Sequence, residues 1–141
     1  MSDPTAVLQV LAMQLRAEDT PISPHVVDPV EEPSLGPLAA AGPRAAAAPA
    51  EYALVVEAVR EGYLLHYGES RLLSGHDPDL ALLAGDYFYA LGIERLAALG
   101  DTEAVHRLAD LISTSAQLHT EGREDEVPIA WTEAIQAIAG T

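Results

Sequence analysis

The chain has 141 residues, one domain's worth, of which 49% are hydrophobic, and its 22 acidic side chains face seven arginines and no lysine for a formal net charge of −15. The arginines (Arg16, Arg44, Arg60, Arg71, Arg95, Arg107 and Arg123) are scattered singly, which excludes nucleic acid and anionic membranes as partners because both need clustered cations. The absence of cysteine removes disulfides, thiolate nucleophiles and thiolate zinc sites, and alanine and leucine with few β-branched runs favour helix over sheet.

In chain order, Ser2 or Asp3 can cap a helix with Pro4 at its first position, and Val7, Leu8, Leu11 and Leu15 form an apolar stripe ending near Glu18. This segment has no basic start and no continuous apolar core, so it does not read as a signal peptide. No stretch reaches transmembrane length, and the expected compartment is the cytoplasm. Between Asp19 and Pro49 lie most of the chain's ten prolines. Proline at that density breaks helix and sheet, so residues 19–49 read as an extended Pro/Ala-rich linker between an N-terminal helix (1–18) and a helical domain (50–141). A striped helix on such a tether either reaches a groove on another protein with Leu8, Leu11 and Leu15, or folds back on its own domain.

The pattern then predicts helices at 50–73, 78–99, 102–120 and 128–139, the first interrupted near Gly68 or Gly75. Asp77-Pro78 and Asp101-Thr102-Glu103 are start signals, and Gly100 and Gly122 are stops. Short connections imply antiparallel neighbours, so the expected fold is all-α, a small antiparallel helical bundle. Tyr63 and Tyr67 stand one turn apart on a face shared with Val59, a face that is either bundle core or partner surface.

The stretch Leu80 to Gly100 carries the most specific pattern. Leu82, Leu83, Tyr87, Ala90, Leu91, Ile93, Leu96, Ala97 and Leu99 recur at helical steps, and Ala81, Ala84, Gly85 and Gly92 would let a neighbouring helix approach closely. Two interior glycines cost about 1 kcal/mol each against alanine, so packing should compensate them. The run LLAGDYFYALGIERLAALGD, with Ala84-Gly85-Asp86-Tyr87 and Leu99-Gly100-Asp101, resembles the polyprenyl diphosphate synthase superfamily, in the helix that follows the first aspartate-rich motif. The resemblance covers about residues 50–122.

The family's DDxxD cluster is missing. After Leu64-Leu65-His66 this chain has Tyr67-Gly68-Glu69-Ser70-Arg71, and one glutamate cannot supply the several hard oxygen ligands of magnesium diphosphate. Glu121, Glu124, Asp125 and Glu126 lack the DDxxD spacing too. The pattern is similar to the small non-catalytic subunits of two-component prenyl synthases, which implies pairing with a catalytic subunit in isoprenoid biosynthesis, modulating its stability or product length. The same resemblance implies that Tyr87, Phe88 and Tyr89 lie at the subunit interface, where Asp86 beside them either pairs within the chain or meets a partner's basic group, and it sets Gln117 against a cavity-facing glutamine.

Other constellations are weaker. His66, Glu69, His76, Asp77 and Asp79 are of metal-ligand type but poorly spaced, and His25, His106 and His119 add no pattern. Ser70, Ser74, Ser113 and Ser115 lack an elbow glycine and acid and histidine partners. The expectation is therefore a protein with no catalytic residue, metal or cofactor, whose partner interface draws on Tyr63, Tyr67, Asp86, Tyr87, Phe88, Tyr89, Leu8, Leu11 and Leu15. The alternative to the synthase subunit is an acidic helical adaptor or assembly factor that binds another protein complex. Self-association is left open by the sequence.

Overall fold

A computed structural model describes residues 3–140; Met1, Ser2 (with its capping role) and Thr141 lie outside the described residues. Six α-helices follow one another: α1 Val7–Glu18, α2 Gly36–Ala40, α3 Pro49–Tyr67, α4 Pro78–Ala98, α5 Thr102–Thr120 and α6 Val127–Ala139. Among the described residues there is no strand, only an isolated bridge between Val26 and Leu73. No described helix is long and apolar enough to cross a membrane.

The start and stop signals work as their chemistry dictates. Asp3 accepts from the Thr5 amide and caps a 3-10 turn at Pro4–Ala6. Asp77 accepts from the Leu80 amide at 2.8 Å, and Asp101 from Ala104 at 3.1 Å, each taking an amide that the first helical turn leaves unpaired. Gly100 and Gly122 adopt φ of 79° and 72° after α4 and α5, the left-handed conformation that glycine enters without steric cost.

Helix α3 is the hub. It is buried on nearly all sides from Tyr52 to Leu65 because other elements cover it from several directions. One core joins Tyr52, Val55, Val56 and Val59 of α3 with Leu96, with Leu108 and Leu111 of α5, and with Trp131, Ile135 and Ile138 of α6. A second joins Ala53, Leu54, Ala58 and Leu65 with Val7, Leu8, Leu11 and Leu15 of α1 and Ala84 and Phe88 of α4. Helices α3 and α4 run antiparallel and close together. Gly62 faces Gly85 and Tyr89, while Gly92 faces Val55 and Val59, and a Cβ on Gly92 would come within 2.5 Å of Val59 Cγ2. The two glycines of the α4 pattern thus return their propensity cost as close packing.

The helix predicted over 50–73 is interrupted at the first of its two expected breaks: it ends at Tyr67 and the chain turns at Gly68, and the expected continuation to 73 is corrected, because Leu72 and Leu73 are drawn into the second core and against Val26. A second expectation is overturned. Residues 19–49 are no extended linker. Pro24, Pro37 and Pro43 each sit in the first turn of a short helix, and Pro49 opens the long helix α3; in all four places the missing N–H is no loss. Ala39 and Ala45 are fully buried, and the Ser23 hydroxyl donates to the Leu15 carbonyl at 2.6 Å, closing the end of α1. With the connection packed down, α1 folds back on its own domain.

Gly42 tests this packing. A Cβ there would collide with the Ala139 carbonyl oxygen at the end of α6. Gly42→Ala should therefore destabilise the protein by about 1–3 kcal/mol, the usual range for overpacking, read as a lower urea midpoint; a free linker would leave the midpoint unchanged.

Candidate partner-binding site

Three groups of chemistry-bearing side chains converge in the fold. The first is buried. Glu57 and Glu61, on successive turns of α3, are 0% exposed. Glu57 Oε2 accepts from the Leu35 and Gly36 amides at 3.0 and 2.6 Å, and its Oε1 accepts from Arg71 Nη1 at 2.6 Å. Arg71 Nε donates to Glu61 Oε1 at 3.0 Å, and Glu61 Oε2 accepts from the amides of Arg71 and Leu72 at 3.1 and 3.3 Å and from the Ser70 hydroxyl. Burial works to lower the Arg71 pKa, but the adjacent Glu57 and Glu61 carboxylates outweigh it and hold the guanidinium above its ordinary range. Every carboxylate oxygen already accepts a hydrogen bond, so this cluster is closed to a substrate or a metal. Its signal in the sequence is two glutamates at i and i+4, Glu57 and Glu61, in a helix rich in valine, alanine and leucine.

The second group surrounds the C-terminal half of α3. Tyr63 meets Trp131 edge-on with ring centroids 5.6 Å apart, Tyr67 stacks on His119 at 4.0 Å, and His66 meets Tyr89 at 5.1 Å. The Arg60 guanidinium lies over both Tyr63 and Trp131, at 5.0 and 4.9 Å from the ring centroids. His66 Nε2 is 3.2 Å from both Asp86 Oδ1 and the Leu82 carbonyl, so that nitrogen carries the proton and steadies an otherwise exposed carboxylate. Burial raises the pKa of Tyr63, and burial followed by the neighbouring Tyr67, Tyr63 and Asp86 raises that of Tyr89. The fold thus brings Tyr63, Tyr67, Tyr89 and Asp86 together; Tyr63 and Tyr89 pack against the first core, and Tyr67 stands open at its edge.

The third group lies on the outer face of α1 and α4. Leu8, Leu11, Leu15 and Phe88, expected at a partner interface, are instead buried in the second core. Their burial follows from the return of α1: the stripe that could have been offered to a partner is consumed within the chain. Tyr87 is half-buried, and its hydroxyl donates to Glu18 at the end of α1. A shallow groove of about 380 Å³ opens beside it, lined by Thr20, Pro21, Ile22, Leu83, Asp86 and Tyr87. Large aliphatic side chains are exposed on both helices: Leu82 by 54% and Leu83 by 59% on α4, and Val10 by 44% and Met13 by 68% on α1.

The remaining sequence candidates are accounted for locally. Asp77 caps α4, Ser70 holds Glu61 and the amides of Leu72 and Leu73, Gln117 donates to Glu121, and Ser115 is buried in α5. Among the described residues, no three histidine, aspartate or glutamate side chains are placed to hold one metal ion. Compared with protein-family models, with curated proteins and with solved structures, the chain matches none.

Arg71→Met would leave two buried carboxylates without their cation. Breaking a buried pair from one side destabilises by about 3–5 kcal/mol, and chemical denaturation should show a loss of that size. A second prediction concerns alkali. Burial, followed by the hydrogen bonds to Asp101 and Glu18, pushes Tyr52 and Tyr87 up to about 12. The unfolded chain releases these protons near pH 10, roughly the ordinary tyrosine value, whereas the folded chain keeps them. Their contribution to stability is therefore complete below about pH 10 and is lost as pH rises towards about 12. Urea midpoints measured across that window should fall, and the double variant Tyr52→Phe, Tyr87→Phe should flatten the fall.

Proposed function

We propose that this chain is a non-catalytic helical subunit that works by packing against a partner protein. One observation carries the reading: the strongest ionic cluster is sealed by its own hydrogen bonds, while Leu82 and Leu83 of α4 and Val10 and Met13 of α1 remain exposed. Large exposed aliphatic side chains of this kind are candidates for interaction surfaces. The cytoplasm is the compartment we assign to it.

The more specific form of the proposal is a subunit that pairs with a catalytic polyprenyl diphosphate synthase and sets its stability or product length. The resemblance over residues 50–122 supports it, and the position of Leu83, Asp86 and Tyr87 at an open groove is compatible with an interface there. The broader form is an acidic adaptor for another protein complex. Both forms need a partner and no bond chemistry in this chain.

Affinity purification of the tagged full chain from its native host, with mass spectrometry and a prenyl-transfer assay on the eluate, separates them. Recovery of a protein bearing two aspartate-rich motifs, whose product length changes with this chain, establishes the synthase form. Stoichiometric recovery of a different complex establishes the broader form, and recovery of no partner at all overturns the proposal. Leu82→Ser with Leu83→Ser should reduce the recovered partner at least tenfold, the scale of losing apolar anchors, with the thermal midpoint within a degree or two because both side chains are already in water.

A further inference from the structure

We infer that the groove between the end of α1 and α4 takes apolar side chains of a cationic amphipathic helix on the partner protein, an inference that rests on the adaptor reading above. The floor of the groove is apolar. Of its six lining residues, Pro21, Ile22, Leu83 and Tyr87 supply the surface, Thr20 contributes a small polar side chain, and Asp86 is the one with a charge. Beyond the groove the outer stripe of α4 continues as Leu83, Asp86, Ala90, Glu94 and Ala97, all exposed and separated by three or four residues. Leu83, Ala90 and Ala97 recur every seven residues with a carboxylate in each interval. A second helix laid along α4 would meet small apolar contacts at heptad spacing and a negative charge between them.

The charges of the rim choose the occupant. From His76 to Glu94 the chain carries Asp77, Asp79, Asp86 and Glu94 and no arginine. Glu18 and Asp19 stand at the end of α1, where the Glu18 carboxylate accepts from the Tyr87 hydroxyl. Arg16 is the nearest cation in that part of the sequence, and it is engaged with Asp28 at 2.9 Å. Arg95, one residue past Glu94, is held by Glu51 through two hydrogen bonds at 2.7 and 2.9 Å. Asp86 is kept in place by His66 yet leaves most of its side chain in water. An apolar floor with Asp86 at its edge and Glu18 beside Tyr87, on a helix whose outer stripe carries acids and no free arginine, attracts lysine or arginine flanking an apolar stripe and repels acidic or phosphate-bearing surfaces. A second copy of this chain is disfavoured for the same reason, since a symmetric contact would oppose the same carboxylates at a net charge of −15 on each molecule.

The test uses the full chain, isotope-labelled, titrated with a synthetic helical peptide that carries leucine on one face and lysine on the other, alongside its glutamate-for-lysine and glutamine-for-lysine counterparts. The expected result is amide shift changes centred on Ile22, Leu83, Asp86 and Tyr87, with the lysine peptide binding at least tenfold more tightly than either counterpart and losing that advantage in high salt. Leu83→Ser should weaken binding about tenfold, the effect of removing an apolar anchor, and Asp86→Asn should weaken it several-fold while reducing the salt dependence. Shifts spread over the acidic surface and insensitive to Leu83→Ser would overturn the inference in favour of diffuse charge attraction. Equal binding of the neutral peptide would also overturn it, as would self-association of the chain that Leu83→Ser abolishes. These failures are separable from failure of the adaptor reading. A native partner whose capture ignores Leu83→Ser moves the docking surface elsewhere and keeps that reading, whereas no captured partner removes it whatever the peptide does.

Discussion

The arrangement depends on two carboxylates that water never reaches. An ionised glutamate in a protein interior carries a desolvation penalty of several kcal/mol, which is offset only when its oxygens are well supplied with donors. Glu57 and Glu61 obtain theirs from two separate stretches of chain: the amides of Leu35 and Gly36 where α2 begins, and Ser70, Arg71 and Leu72 after α3. In both stretches the amides have no helical carbonyl to donate to, one lying at a helix start and the other in a loop, and each is pinned to the same helix by the same requirement. A buried ionic cluster of this kind contributes less to net stability than an apolar replacement of equal shape often would. Its effect is directional, fixing where both loops must lie. The 70–73 loop then delivers Leu72 and Leu73 to the second core beside α1, and the loop at 35–36 delivers α2 and Ala39 to the first.

This constraint also sets what was legible in the sequence. Helices α1, α4, α5 and α6 follow from apolar spacing and from Asp77, Asp101, Gly100 and Gly122, which act through neighbours within a few residues. Residues 19–49 were not legible. A helix of five residues shows no period, a proline in a first turn has the same letter as a proline that breaks a helix, and Ala39 and Ala45 are buried because small side chains let backbones approach closely. What holds the segment down is Glu57, some twenty residues downstream, together with Ala139 against Gly42 near the far end of the chain. Long-range partners of that kind leave no local pattern. The candidate site divides in the same way: the exposure of Leu82, Leu83 and Tyr67 depends on what the rest of the chain leaves uncovered, whereas the cap at Asp77 was readable from two letters.

Within the run Ala84-Gly85-Asp86-Tyr87, the last three residues each have a physical role in the packing of α4. Gly85 lets α4 close on Gly62 and His66, Asp86 accepts from His66, and Tyr87 reaches Glu18 on α1. A helix that must touch α3 closely while covering α1 needs a small residue and a hydroxyl-bearing aromatic two positions apart. The loop after α3 is committed to folding as well, because Ser70 and Arg71 turn inward to Glu61 and Glu57. With that loop and the inner side of α4 taken up by contacts within the chain, what α4 has left to offer is its outer face.

That outer face and the charge of the chain act together. Arg16, Arg44, Arg71, Arg95 and Arg123 are ion-paired within the molecule, and Arg60 lies over Tyr63 and Trp131, so most of the chain's cationic charge is engaged internally. The excess of carboxylates is consequently expressed at the surface. Exposed leucines on a neutral protein would promote contact between copies, but at −15 two approaching molecules repel before their apolar faces can meet. The same field lowers the barrier to a partner of opposite sign, and once such a partner has arrived the leucines supply contact area that charge alone cannot. On the inference drawn above, selectivity on this face would come from requiring both properties in one ligand. A purely basic chain would find carboxylates over much of the acidic surface, and a purely apolar one would face the desolvation of the acids, while a helix with both features would be matched where Leu83, Ala90 and Ala97 run between Asp86 and Glu94.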